Sequence, residues 1–144
     1  MRLITRSDFD GLACGALLLE AKVVDSWMFA HPKDIQDGLV PVTENDVLAN
    51  VPFAPGCGLW FDHHSSEEER LKIKGHYKGE SRISPSAARI IYEYYGGKER
   101  FPNFDDLMLA VDKVDSGQLT AEEILNPTGW ILIGFLRSEE RRGG

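Results

Sequence analysis

Residues 58–64 read Gly58-Leu59-Trp60-Phe61-Asp62-His63-His64, an apolar run that ends in one aspartate and two histidines. The run Gly58 to Phe61 predicts a short buried strand. A second acidic motif, Asp8-Phe9-Asp10-Gly11, follows the first apolar run of the chain, Leu3-Ile4-Thr5. Carboxylate oxygens together with neutral imidazole suit a divalent ion such as Mn²⁺ or Mg²⁺. Such ions often support attack of metal-activated water on phosphorus.

Predicted strands and helices alternate along the rest of the chain. This alternation predicts an α/β fold with a mostly parallel sheet and helices on both faces. Ligands of such sheets bind outside the carboxyl ends of the strands, so the two acidic motifs can share one site. We predict strands over residues 3–5, 23–30, 46–51 and 58–61, helices over 11–21, 85–95, 103–114 and 127–136, and a solvated loop over 65–79.

The composition fits one domain with a core of its own, since 42% of the 144 residues are hydrophobic. We expect an α/β domain over residues 1–136 and a polar tail over 137–144. No apolar stretch approaches the roughly 20 residues that span a bilayer, so we expect no membrane association and a cytoplasmic location. We expect Cys14 and Cys57 to be reduced thiols, as is usual in the cytoplasm, with a disulfide between them as the alternative. The net charge of −7 argues against general binding of long DNA.

The acidic pair Asp8 and Asp10 has two interpretations. In an extended segment, residues two apart point to the same side, so both carboxylates can face one ion or two adjacent ions. Gly11 then lets the backbone turn into the following helix. The alternative is that Asp10 only caps that helix.

Neighbouring histidines on an extended segment point in opposite directions. His63 or His64 can therefore ligate a metal while the other reaches into the cleft as a donor or acid, and Asp62 can orient one of the imidazoles. A pair of surface histidines is the alternative.

Two further segments are candidates for substrate binding. His31 follows the second strand and lies either at the site edge or in an ordinary loop, and Ser86 belongs to a helix start that either binds phosphate or is simply capped by Ser84.

Taken together, the order and spacing of these motifs resemble the DHH phosphoesterase superfamily, and most closely its exopolyphosphatase-like branch. The first family motif, H-x-D-x-D-G, matches Arg6-Ser7-Asp8-Phe9-Asp10-Gly11, and the triplet Asp62-His63-His64 matches the motif that names the family. The family also has an aspartate at the end of the third strand, where this chain has Asn50, and one on a later helix, where it has Asp112.

The resemblance implies a two-metal site that prefers Mn²⁺, or Mg²⁺, with His64 and Asp62 in catalytic roles. The implied metal ligands are Asp8, Asp10, His63 and Asp112. Asp115, three residues further along the same helix, is the alternative to Asp112. A small phosphate-containing substrate or a nucleotide is the implied ligand.

Two family positions are altered in this chain. Arg6 cannot ligate a metal and carries a fixed charge, while Asn50 is a neutral, weaker ligand than the expected carboxylate. We expect both residues to contact substrate, and the second metal to bind poorly. We also expect no second, substrate-binding domain, so that the chain is either a truncated relative or one in which a second copy of the chain or a partner protein replaces the missing half. The leading hypothesis is a metal-dependent phosphohydrolase, and its rival is a degenerate domain that binds a nucleotide or a protein without turnover.

Overall fold

The fold was analysed on a computed structural model that describes residues 1–63 and 77–115, with only the backbone of the last two. Several sequence-based predictions lie outside this part of the chain. These are the role of His64, the helix over 127–136, the domain boundary at residue 136, the polar tail and the alternative ligand Asp115.

The described chain contains five strands and four α-helices. A helix follows each of the first two strands, the next three described strands come one after another, and the last two helices follow them, separated by a short 3-10 helix over Gly97–Glu99. The strands are β1 (Arg2–Thr5), β2 (Ser26–Phe29), β3 (Asp46–Ala49), β4 (Leu59–Asp62) and β5 (Gly79–Ser81). The helices are α1 (Phe9–Glu20), α2 (Pro32–Gln36), α3 (Ala87–Tyr94) and α4 (Asp105–Asp115).

All five strands are parallel and lie in the order β2-β1-β3-β4-β5, which confirms the predicted α/β fold. Alternate residues of each strand point to opposite faces. Leu3, Val47 and Phe61 pack on one face with α1, α3 and α4. Ile4 and Trp60 pack on the other face, against Ile35 of α2 among others. All five carboxyl ends therefore meet at one edge.

Three local predictions differ from the structure. The strand β5 begins at Gly79, the last residue of the predicted loop, and was not predicted, because Gly79-Glu80-Ser81 has no apolar pattern and becomes a strand only by pairing with β4. The strand predicted over 23–30 is shorter and begins at Ser26. Helix α3 is capped by Ser86 rather than Ser84, since the Ser86 hydroxyl accepts the backbone N–H of Arg89 at 2.9 Å.

Within residues 1–63 and 77–115, the longest apolar helical stretch falls short of what a bilayer crossing requires. Both cysteines are free thiols.

Candidate metal centre and adjacent cavity

Asp10 lies at the centre of the carboxyl edge and is fixed there by helix α3. Its side chain is only 4% exposed, and its two oxygens accept the backbone N–H groups of Ala87 and Ala88, each at 2.9 Å. These two amides begin α3, where unpaired N–H groups and the helix dipole favour negative charge. The amides that we considered for phosphate therefore hold the Asp10 carboxylate instead.

His63 follows β4 directly and faces the same carboxylate. Its Nε2 lies 3.3 Å from Oδ2 of Asp10, and its Nδ1 lies 3.1 Å from the carbonyl oxygen of Ser84. Because a carbonyl oxygen only accepts hydrogen bonds, Nδ1 carries the hydrogen, which directs Nε2 toward Asp10. Metal-binding histidines are commonly oriented in this way, through a hydrogen bond from the second ring nitrogen.

The pair formed by Asp10 and His63 fits a single divalent ion. Two neighbouring ligands about 2.1 Å from an octahedral ion lie about 3 Å apart, close to the observed 3.3 Å between Nε2 and Oδ2. In residues 1–63 and 77–115, however, no three His, Cys, Asp or Glu side chains come together as a ready metal cage. The described residues thus supply two donors for one ion.

Asp8 caps helix α1, a role that we had considered for Asp10. Its Oδ1 accepts the backbone N–H of Gly11 at 2.8 Å and the side-chain amide of Asn50 at 2.9 Å. Its Oδ2 lies 3.4 Å from Nε of Arg6. Both residues that depart from the family pattern therefore contact the Asp8 carboxylate. These contacts leave Asp8 less able to bind a second ion.

Gly11 is required by the close approach of α1 to the end of β1. A Cβ atom at this position would lie 1.9 Å from the carbonyl oxygen of Arg6, well inside contact distance. Asn50 holds a backbone conformation with φ of 62°, which asparagine tolerates better than most residues, and is buried. This conformation ends β3 and brings the Asn50 amide to Asp8.

Asp112 lies on α4 and forms an ion pair with Arg89 of α3 through Oδ2. Its Oδ1 is buried and has no hydrogen-bond partner among the residues that the structure describes. An unsatisfied buried carboxylate oxygen is unusual and is compatible with a ligand that is bound in the working protein. Arg89 was not predicted as a site residue, and its only signal in the sequence is its place in the first turn of α3.

The remaining predicted site residues lie around this centre. Asp62 is buried at the end of β4, and its carbonyl oxygen accepts the backbone N–H of Arg82 at 3.2 Å. Ser86 is buried as the cap of α3. His31 caps α2, where its Nδ1 accepts the backbone N–H of Lys33 at 3.1 Å. Their roles in catalysis and substrate binding stay predictions.

A cavity of about 340 Å³ lies beside Asp8, where β1 and β2 end. The sequence analysis proposed two of its residues, Arg6 and His31, for substrate binding but did not foresee that they line one cavity. The full lining is Arg6, Ser7, Asp8, Phe29, Ala30, His31 and Pro32.

No model of a known protein family matches the chain, and no curated protein matches it. A comparison with solved structures finds a chain that is 44% identical over 92% of the present sequence, with a TM-score of 0.73. With the motifs and fold described above, this match shows that the chain belongs to the DHH phosphoesterase superfamily. The exopolyphosphatase-like branch stays a prediction.

The matching structure is the pGpG-specific phosphodiesterase PggH from Vibrio cholerae. The match covers 42% of the PggH chain, so the present chain spans less than half the length of this relative.

Proposed function

We propose that this chain is a metal-dependent phosphoesterase domain that hydrolyses a short linear oligonucleotide, with pGpG as the first substrate to test. The observation that carries the proposal is the Asp10–His63 pair at the carboxyl edge of the parallel sheet. The similarity to a phosphodiesterase that acts on pGpG supports the choice of substrate.

In this proposal, Asp10 and His63 would hold one ion, Mn²⁺ or Mg²⁺. Asp112, whose buried Oδ1 has no hydrogen-bond partner among the described residues, would approach as a further ligand when the ion binds. A bound divalent ion supplies a Lewis acid that activates water for attack on phosphorus. The chain itself fixes the donors in advance. The amides of α3 hold the Asp10 carboxylate in place, and the Ser84 carbonyl orients Nε2 of His63 toward that carboxylate.

Asp8 has a different role in the proposed mechanism. Because Arg6 and Asn50 already contact its carboxylate, we propose that the Arg6 guanidinium takes the place of a second ion. A guanidinium can bind two phosphate oxygens at once and stabilise the charge that develops on them. We therefore propose one ion and one arginine in place of two ions. His64 and Asp62 keep their proposed parts in proton transfer and in orienting the imidazole.

The second candidate function is binding of a nucleotide or a protein partner without turnover. The contacts of Arg6 and Asn50 with Asp8 favour it, since they occupy the carboxylate that would complete a two-ion centre.

The test is hydrolysis of pGpG, followed by chromatography, with Mn²⁺ and with EDTA. We expect Mn²⁺-dependent cleavage to mononucleotides, and a loss of at least about 100-fold in His63→Ala because the ion loses its nitrogen ligand. Glu99→Ala, an exposed change in the 3-10 helix beyond the far end of α3, is the control and should cleave normally. If the folded wild-type chain cleaves neither pGpG nor a generic phosphodiester or phosphomonoester, the binding function becomes the better account.

A further inference from the structure

The cavity beside Asp8 has the size of a site for a single nucleotide. Its volume of about 340 Å³ lies near the lower limit of ordinary ligand pockets, roughly 300–1,000 Å³. A whole dinucleotide would therefore exceed it. Asp8 lines the cavity and caps the helix that carries Asp10, which contacts His63. A molecule that contacts both the cavity and this pair would therefore place one of its parts in the cavity.

Arg6 gives this cavity a positively charged wall. Its Nε contacts Asp8 at 3.4 Å, and its side chain is 41% exposed. Its terminal N–H groups make no hydrogen bond with any residue in the described ranges, 1–63 and 77–115. They are therefore available for an anion, and the planar guanidinium matches the oxygens of a phosphate group.

His31 adds a neutral hydrogen-bond donor to the lining. Since Nδ1 accepts the backbone N–H of Lys33, the hydrogen of the neutral ring is on Nε2. The apolar part of the lining consists of Phe29, Ala30 and Pro32. One wall thus suits a phosphate, and the other suits the flat face of a nucleobase.

We propose that this cavity binds one nucleoside 5′-monophosphate unit, with its phosphate on Arg6 and its base against Phe29 and Pro32. The placement of this unit next to the scissile phosphate rests on the proposed function. Binding of the unit itself depends only on the cavity and needs no metal ion. A mononucleotide product therefore binds the same cavity and inhibits the reaction.

The test is a calorimetric titration of the full chain with guanosine 5′-monophosphate in the presence of EDTA. We expect wild-type binding, and binding about tenfold or more weaker in Arg6→Gln, because a charge-assisted hydrogen bond is lost. Arg100→Gln is the matched control. Arg100 is exposed and follows the 3-10 helix beyond the far end of α3, so this variant should bind as the wild type does.

A second variant separates the base from the phosphate. Phe29→Leu keeps an apolar side chain but removes the ring, so it should weaken the monophosphate about fivefold or more and leave inorganic phosphate binding unchanged. Circular dichroism checks that each variant is folded. The proposal is overturned if wild-type binding requires Mn²⁺, if no binding is measured, or if Arg6→Gln and Phe29→Leu both bind as the wild type does.

The two proposals fail separately. A chain that binds the monophosphate in EDTA but never cleaves pGpG supports the cavity and removes the phosphoesterase function. A chain that cleaves pGpG with Mn²⁺ but shows no metal-independent binding keeps the function and removes the cavity proposal.

Discussion

The side-chain amide of Asn50 donates a hydrogen bond to Oδ1 of Asp8 across 2.9 Å. The two residues lie at the ends of neighbouring strands, at the point where the chain connections leave the sheet in opposite directions. Ligands of open parallel sheets bind at this point. An amide in contact with the carboxylate satisfies it as a hydrogen-bond acceptor and leaves less negative charge for a cation. This contact is the basis for the first prediction.

Replacing Asn50 by aspartate should raise the affinity for Mn²⁺ at least about tenfold, and Arg6→His with Asn50→Asp should raise it further and increase any Mn²⁺-dependent hydrolysis. The new carboxylate is buried beside Asp8, so in EDTA the same variants should lose about 1–3 kcal/mol of unfolding free energy. Calorimetry with Mn²⁺ and urea unfolding measure both effects. Asn45→Asp, an exposed change at the opposite edge of the sheet, is the control and should alter neither quantity.

If the double variant neither gains metal nor hydrolyses any phosphate ester, Asn50 and Arg6 are not what limits the site, and the phosphoesterase proposal loses its support.

The ion pair between Arg89 and Asp112 leads to a second prediction. Arg89→Met should strengthen Mn²⁺ binding about fivefold, because it frees a carboxylate and removes a nearby positive charge. Asp112→Asn should weaken binding about tenfold. Lys98→Met, which breaks an exposed pair with Asp105, is the matched control. Equal Mn²⁺ affinities in Arg89→Met and Lys98→Met would show that Asp112 does not face the ion.

A pair of glycines in α1 gives a third prediction, which concerns stability. Gly11→Ala should lower the free energy of unfolding by about 3 kcal/mol or more, since the new Cβ collides with the Arg6 carbonyl. Gly15→Ala places its Cβ at an ordinary 3.6 Å from Leu3 and should raise stability by about 0.5–1 kcal/mol. Urea unfolding followed by circular dichroism compares them. Similar effects from both substitutions would mean that α1 is not pressed against the end of β1.

The fourth prediction concerns alkaline pH. Burial raises the pKa of the Cys57 thiol to about 11, and the nearby Asp46 charge adds to this. The folded chain thus holds this proton more tightly than the unfolded chain. The resulting stabilisation is complete below about pH 9 and is lost as the pH rises to about 11. Cys57→Ser should remove this part of the alkaline loss of stability.

The same thiol should react with iodoacetamide about 100-fold more slowly in the folded chain than in urea at pH 8, because only the thiolate reacts. Mass spectrometry follows the modification at Cys57. Comparable rates in the two states would contradict the raised pKa.

The sequence predicted the strands that carry an apolar run and the edge at which Asp8, Asp10 and His63 lie. These features follow from local pattern and from the rule that parallel strands end together. Strand β5 was not predicted, because its three residues show no apolar pattern and form a strand only by pairing with β4. The hydrogen-bond partners of Asp10 could not be predicted either. They are backbone amides 77 and 78 residues away, and every residue except proline has such an amide, whatever its side chain. Those same amides hold Asp10, so Asp8 and not Asp10 caps α1.

The large sequence separation between Asp10 and its hydrogen-bond partners also sets an order of events during synthesis. The carboxylate leaves the ribosome early, yet the amide of Ala87 that neutralises it is made 77 residues later. At about 5–20 residues per second, the delay is about 4 to 15 s. Until then, an unpaired negative charge disfavours burial of the first helix against the sheet. The emerging chain is thereby kept from closing its core before the segment that completes the site has been translated.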